Sequence, residues 1–299
     1  MVGAPSGFKF SAMLVAAVVY TGLVAFEMLQ HGVVATPDFL LPALVPLALV
    51  SGRFLAWLRD WVPFIGLLLG WEAMRSVAYR VSPSGVHAGS LHPELLLFGG
   101  RLPEVWFQQL LDRGALGHFL DVAAATVDLL HFPAIVAAAF LVWMHGRNAF
   151  RTYSIALFAT VMIAFVVFLL APTAPPWYAV EHGWIKGLQH VMIQVMPVHW
   201  SGYYQSLDPN PVAADPSLHS ALPFIGFLAL RRLRSWLAWP MLAWTVGVWF
   251  SVVYLGEHYL LDVVAGVGLA TLCWGAASAL PYARLQTLAR SAALAPAGR

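Results

Sequence analysis

The hydrophobic positions fall in long blocks, and the polar positions gather between them rather than alternating with them. Eight blocks read as candidate membrane spans, at 9–30, 39–52, 60–79, 120–144, 152–171, 218–230, 236–256 and 259–280. A helix needs about 20 mostly apolar residues to cross a bilayer, so the second and sixth are short enough to cross only in part. Pro42, Pro46 and Pro240 lie inside such blocks, which membrane helices tolerate when packed against neighbours. The pattern predicts an all-α fold, a polytopic membrane helix bundle of about eight spans. Two long stretches remain outside the spans, 80–119 and 172–217. The first, containing LHPELLLFGGRLPEVWFQQLLDRG, mixes Leu, Trp and Phe with charges at roughly helical spacing and is expected to lie in the membrane interface.

Composition agrees. Of 299 residues, 60% are hydrophobic and 10% charged, against about 25% charged in soluble domains. A net charge of +2 gives no reason to expect a nucleic-acid partner. The single cysteine, Cys273, allows neither an intrachain disulfide nor a thiolate metal site. The first apolar block is longer than a signal-peptide core of roughly 7–15 residues, so it is expected to be a retained span. With eight spans, eleven of the sixteen basic residues fall on one face. They are Lys9, Arg53, Arg59, Arg147, Arg151, Arg231, Arg232, Arg234, Arg284, Arg290 and Arg299. That bias puts both termini in the cytoplasm and the two long stretches outside the cell membrane.

Three polar segments then meet at the external surface: APTAPPWYA at 171–179, NPVAADPSLHS at 210–220 and YLGEHYLLDVVAG at 254–266. His258 and Asp262, four residues apart at a helix start, share a face and can hydrogen-bond. A carboxylate on one imidazole nitrogen makes the other a better nucleophile or base. His219 follows Ser217 and Leu218 at another helix start, where backbone N–H groups suit a phosphate. Two histidines and a carboxylate beside an anion-binding turn point to phosphoryl transfer through a phosphohistidine. Trp177, Tyr178, Tyr203 and Tyr204 read as interfacial anchors, with Tyr178 also a candidate substrate contact.

PSLH followed by HYLLD, after a span ending in PTAPP, resembles the type 2 phosphatidic acid phosphatase superfamily. Within it, TAPP, AADPSLH and HYLLD are most similar to the inositol phosphorylceramide synthase-like, or inositolphosphotransferase, branch. The resemblance covers roughly 120–280. It implies a six-helix core with no required metal or other cofactor, His258 as nucleophile, Asp262 as its orienting carboxylate and His219 as the acid for the leaving group. It also implies a lipid phosphate or phospholipid headgroup as substrate, leaving water or an alcohol open as acceptor. Leu218 stands where most of the superfamily has Gly, and Ser251-Val252 where they carry Ser-Arg. The usual lysine and arginine of the first motif are also missing. Arg75 is the first candidate to replace these cations, with Lys186 and Arg80 behind it; Glu72 offers Arg75 an ion pair instead. Asp128 and His131 could complete the polar wall.

The sequence divides into 1–119 (N-terminal spans and external segment), 120–282 (a catalytic membrane core) and 283–299 (a cytoplasmic tail). Two other readings keep the same residues. In one, His219, His258 and Asp262 are ligands of a zinc hydrolase. In the other, the cluster only recognises a headgroup in a lipid-phosphate transporter or binding protein.

Overall fold

The computed structural model describes residues 52–81, 85–111, 114–195 and 210–280, with the single positions Val15, Val19 and Leu23; the side chains of 72, 73 and 75–81 lie outside this description. Apart from Val15, Val19, Leu23 and Gly52, the expected spans at 9–30 and 39–52 therefore lie outside the described residues, as do the tail at 283–299 and Tyr203 and Tyr204. The elements are all helices: α1 (Phe54–Val81), α2 (Leu91–Leu97), α3 (Pro103–Leu111), α4 (Gly114–Leu129), α5 (His131–His145), α6 (Arg147–Leu170), α7 (Pro176–Glu181), α8 (Val191–Val195), α9 (Leu218–Arg232), α10 (Ala238–Tyr254) and α11 (Leu260–Ala279). Three of them, α1, α6 and α11, are long and apolar enough to cross a membrane. A fourth crossing is made if α4 and α5 act as one. The chain is an integral membrane protein.

The expected span at 120–144 is broken. α4 and α5 meet at Leu130 with a bend of 46°. Pro133 explains it, because it has no N–H to offer the Leu129 carbonyl, and its ring would crowd that carbonyl in a continuous helix. α1 and α6 start earlier than the apolar blocks suggest, at Phe54 and Arg147. Their early turns meet at Asp60, which accepts from Arg147 Nε at 2.9 Å, Arg59 Nε at 3.1 Å and Trp143 Nε1 at 3.2 Å.

α9 lies at the centre, packed against α5, α6, α10 and α11. Buried residues run all round it, from Ser220, Ala221 and Leu222 to Ala229 and Leu230, as expected of a helix enclosed by others. α1 lays a stripe of Trp57, Trp61, Phe64, Leu68 and Trp71, alternately four and three residues apart, toward α6. Trp61 stacks on Phe150 at 5.4 Å between ring centres. α2 and α3, from the stretch expected at the membrane interface, cover the start of α11.

Candidate active site

His258 sits in the turn joining α10 to α11. The chain leaves α10 through Gly256, whose φ of +81° suits a residue without Cβ, and a Cβ there would press on Leu188 and the Gln189 carbonyl. The N–H groups of Glu257 and His258 both return to the Val252 carbonyl, at 2.9 and 3.1 Å. Tyr259 caps α11, so His258 precedes the helix rather than lying along it. Its Nδ1 is 3.7 Å from Asp262 Oδ2, in ion-pair range but beyond a hydrogen bond. Asp262 is fully buried and already committed: Oδ2 accepts Tyr259 N–H at 3.0 Å, and Oδ1 accepts the Ser90 hydroxyl at 2.5 Å.

His219 comes from the first turn of α9, which Ser217 caps by accepting Ser220 N–H at 3.3 Å. α9 and α11 touch backbone to backbone. Ser217 N–H donates to the Asp262 carbonyl at 3.1 Å, and Ser220 Oγ donates to the Val263 carbonyl at 3.1 Å. Gly266 permits this approach, since a Cβ there would lie 2.2 Å from Ser217 O. The result is a histidine pair, with His219 Nδ1 3.0 Å from His258 Nε2. In this contact one nitrogen donates and the other accepts. With the His258 proton on Nδ1, facing Asp262, its Nε2 is the acceptor and turns its lone pair toward His219.

Thr173, in the TAPP segment, holds the loops above the pair in register. Its backbone bridges His87 on one side and Ala213 on the other, and its Oγ1 accepts Asp215 N–H at 2.8 Å. The segments at 87, 173 and 213 are thus stitched together beside the mouth of α9. Asp215 is left half-buried, where burial and the Asp262 carboxylate push its pKa up to about 6 against the opposing pull of His258.

A cavity of about 170 Å³ opens on the two histidines. Leu218, Asp128 and His131 line it, whereas Ser217 is buried behind it. The His131 and His219 rings meet edge to face at 4.3 Å, and His131 Nδ1 donates to the Asp128 carbonyl across the helix break. Tyr178 is outside the lining and stacks on His182, while Lys186 is exposed and also outside it. The side chains of Arg75 and Arg80 lie outside the described residues, and no lysine or arginine is among the described residues lining the cavity. The group of three donors placed for a metal, with atoms within 4.8 Å of one another, is Asp128, His131 and His219 among the described residues, not the set His219, His258 and Asp262 expected for zinc.

Sequence reasoning passed over several polar residues here. Asn210 and Glu257 line the cavity, together with Trp177, read from the sequence as an interfacial anchor. Glu257 Oε1 lies 2.8 Å from His190 Nε2, and that imidazole stacks flat on Trp177. Glu257 was in plain view beside His258, but Asn210 and His190 carry no local signal. Ser90, Glu94 and Glu104 belong to the stretch read as interfacial.

The family model described as PAP2 superfamily matches residues 100–276, a range holding His219, His258 and Asp262. Phosphoinositol dihydroceramide synthase of Bacteroides thetaiotaomicron is 25% identical over 237 residues, covering 71% of this chain and 74% of that protein. Inositol phosphorylceramide synthase of Candida albicans is 24% identical over 165 residues, 50% of this chain and 34% of the relative. The catalytic subunit of the Schizosaccharomyces pombe inositol phosphorylceramide synthase is 26% identical over 125 residues, 39% and 30% of the two chains. No solved structure gives a significant match. With more than half of its length matched and the paired histidines inside the match, the chain belongs to the PAP2 superfamily, as an integral membrane enzyme that processes lipid phosphates.

Proposed function

We propose that this enzyme moves a phosphorylated headgroup from a phospholipid to a lipid alcohol, without a metal, through a phosphohistidine on His258. The observation that carries the reading is the facing of His258 Nε2 and His219 Nδ1 at 3.0 Å beside the cavity. A phosphoryl group entering between them has a nucleophile on one side and a proton donor on the other. His258 Nε2 attacks phosphorus and the bond to the leaving oxygen breaks, that oxygen taking the proton from His219. The acceptor hydroxyl then gives its proton to His219, its oxygen bonds to phosphorus, and the P–N bond breaks to restore His258. Asp262, 3.7 Å from Nδ1 at rest, stabilises the imidazolium as charge develops, a contact that tightens in the reacting complex.

The cavity favours a diester over a monoester. Asp128 and Glu257 bring carboxylates to its lining, and no described lining residue is a lysine or arginine. A dianionic monoester normally meets several cations, whereas a monoanionic diester makes less demand. The dipole at the start of α9 supplies part of the positive field. Relatives named as synthases support transfer over hydrolysis, and the dihydroceramide in one of those names supports a ceramide-like alcohol as acceptor. The basic-residue bias supports an external site with both termini cytoplasmic.

The test is turnover by purified protein in mixed micelles containing phosphatidylinositol, with dihydroceramide present or withheld. Wild type should sustain diacylglycerol release only with the alcohol present, giving at most about one equivalent per enzyme without it, be indifferent to EDTA, and carry acid-labile phosphoinositol on histidine. His258→Ala should lose activity by about 10³-fold or more. Unchanged turnover in His258→Ala, or loss of wild-type turnover in EDTA, overturns the mechanism.

A further inference from the structure

The first turn of α11 is held by three carboxyl groups from three separate segments. Tyr259 N–H donates to Asp262 Oδ2 at 3.0 Å, Leu260 N–H to Glu104 Oε1 at 2.9 Å, and Leu261 N–H to Glu94 Oε1 at 2.7 Å. These are among the donors that a helix start leaves without intrahelical partners. One capping side chain usually serves such a turn. Here three consecutive amides each have their own acceptor, and they are the three that follow His258.

Glu94 and Glu104 reach this turn from α2 and α3, more than 150 residues earlier in the chain, and both are 0% exposed. Burying two carboxyl groups is costly unless charge and hydrogen bonds are compensated. The wall around them is apolar, with Leu91, Leu102, Ile185 and Leu188 packed on Tyr259. Had α2 and α3 needed only to cover the turn, apolar side chains would have served. What the two carboxyls add is a fixed direction for the Leu260 and Leu261 amides, and through them for the peptide that carries His258.

We propose that Glu94 and Glu104 are positioning residues for phosphoryl transfer, a paired clamp that sets the angle of His258 toward phosphorus by fixing the first turn of α11. The proposal rests on His258 being the nucleophile. Neither glutamate touches substrate. Both act through the backbone, as Asp262 does with its second oxygen.

The pair works as one unit. Burial and the neighbouring carboxylate push Glu104 up to about 9, and burial chiefly raises Glu94 as well. Glu94 Oε2 and Glu104 Oε2 are buried acceptors with no donor of their own, and the two carboxyls interact directly. A single proton held between them supplies the missing donor and removes one of the two charges. The other titratable groups facing the pair are Asp262 from α11 and the Tyr259 hydroxyl at its cap, which burial first, and then the pair and Asp262, push up. Loss of the shared proton would set three carboxylates against one another at the turn that aims the nucleophile.

The experiment compares Glu104→Ala, Glu104→Gln and Glu94→Gln with wild type and His258→Ala, reading kcat, KM and melting temperature across pH 6–10. A glutamine oxygen can still accept the Leu260 or Leu261 amide, and its NH2 can still donate to the remaining carboxylate. Each single glutamine variant should keep kcat within about threefold at pH 7. Glu104→Ala should lose kcat by about a hundredfold with little change in KM, the scale of loss expected from a misplacement near 1 Å. Wild-type kcat should fall as pH rises toward about 9, where the shared proton leaves, and Glu104→Gln should not show that fall. If Glu104→Ala does not fold, the pH profile of Glu104→Gln decides: an alkaline fall identical to wild type overturns the proposal. So does folded Glu104→Ala with wild-type kcat. Either result beside an inactive His258→Ala leaves the phosphohistidine reading standing, whereas an active His258→Ala removes that reading itself.

Discussion

Two groups of carboxylates among the described residues, apart from Asp128 at the cavity, are buried and satisfied in opposite ways. Asp60, at the start of α1, is matched by two arginines and an indole. At the start of α11, Glu94, Glu104 and Asp262 are matched by backbone amides, a serine hydroxyl and each other. A side-chain cation neutralises charge but tolerates movement, because arginine is long and partly exposed here. A backbone amide leaves the carboxylate its charge but fixes its direction. The first arrangement joins α1 to α6. The second holds geometry.

The comparison is tested hardest at Gly266. Alanine there would put a Cβ 2.2 Å from the Ser217 carbonyl, which is backbone and cannot swing aside. α9 must then shift from α11, and His219 moves with it. We expect a stability loss of about 1–3 kcal/mol and an activity loss near a hundredfold. Thermal melting and turnover check both, and wild-type turnover in Gly266→Ala would mean that this contact does not set the histidine spacing. Asp60→Ala should behave in the opposite sense. It leaves Trp143 Nε1 and two arginines without their acceptor, costing about 1–3 kcal/mol. Turnover per folded molecule should stay within about twofold. A large fall in kcat at unchanged stability would make the two clusters functionally alike.

The smallest effect belongs to Asp215. Its folded pKa of about 6 lies above the ordinary 3.8, so between those values the folded protein keeps a proton that the unfolded chain has released. Its contribution is therefore full below pH 4 and is lost as pH rises to about 6, beyond which the folded state carries a charge near Asp262. Asp215→Asn should melt like wild type at pH 4 and slightly higher at pH 7, with the gap opening between. A gap that closes as pH rises would reverse the assigned direction.

The histidines, Asp262 and the helices that present them were legible because each advertises itself locally. A histidine and an acid at a helix start inside apolar sequence cost too much to be incidental. The helix break at Leu130 was also within reach, since Pro133 is visible, but an apolar window averages over it. What stayed hidden was partnership at a distance. Glu94 and Glu104 each follow a proline at or near a helix start, HPE and LPE, where an acid normally complements the dipole of its own helix. Nothing local reveals that they instead serve a helix more than 150 residues downstream. Thr173 likewise reads as part of a proline-rich turn, and its bridges to His87 and Ala213 exist only once three loops are brought together.

The contact between Ser217 and the backbone of α11 also sets an order of assembly. The start of α9 is held by the Asp262 and Val263 carbonyls, and α11 is the last described helix to be synthesised. A chain still on the ribosome can hold His219 at the start of α9, yet lacks the surface that orients it and the partner it faces. The two histidines meet only when α11 docks, so under the proposed mechanism that docking is also the onset of reactivity.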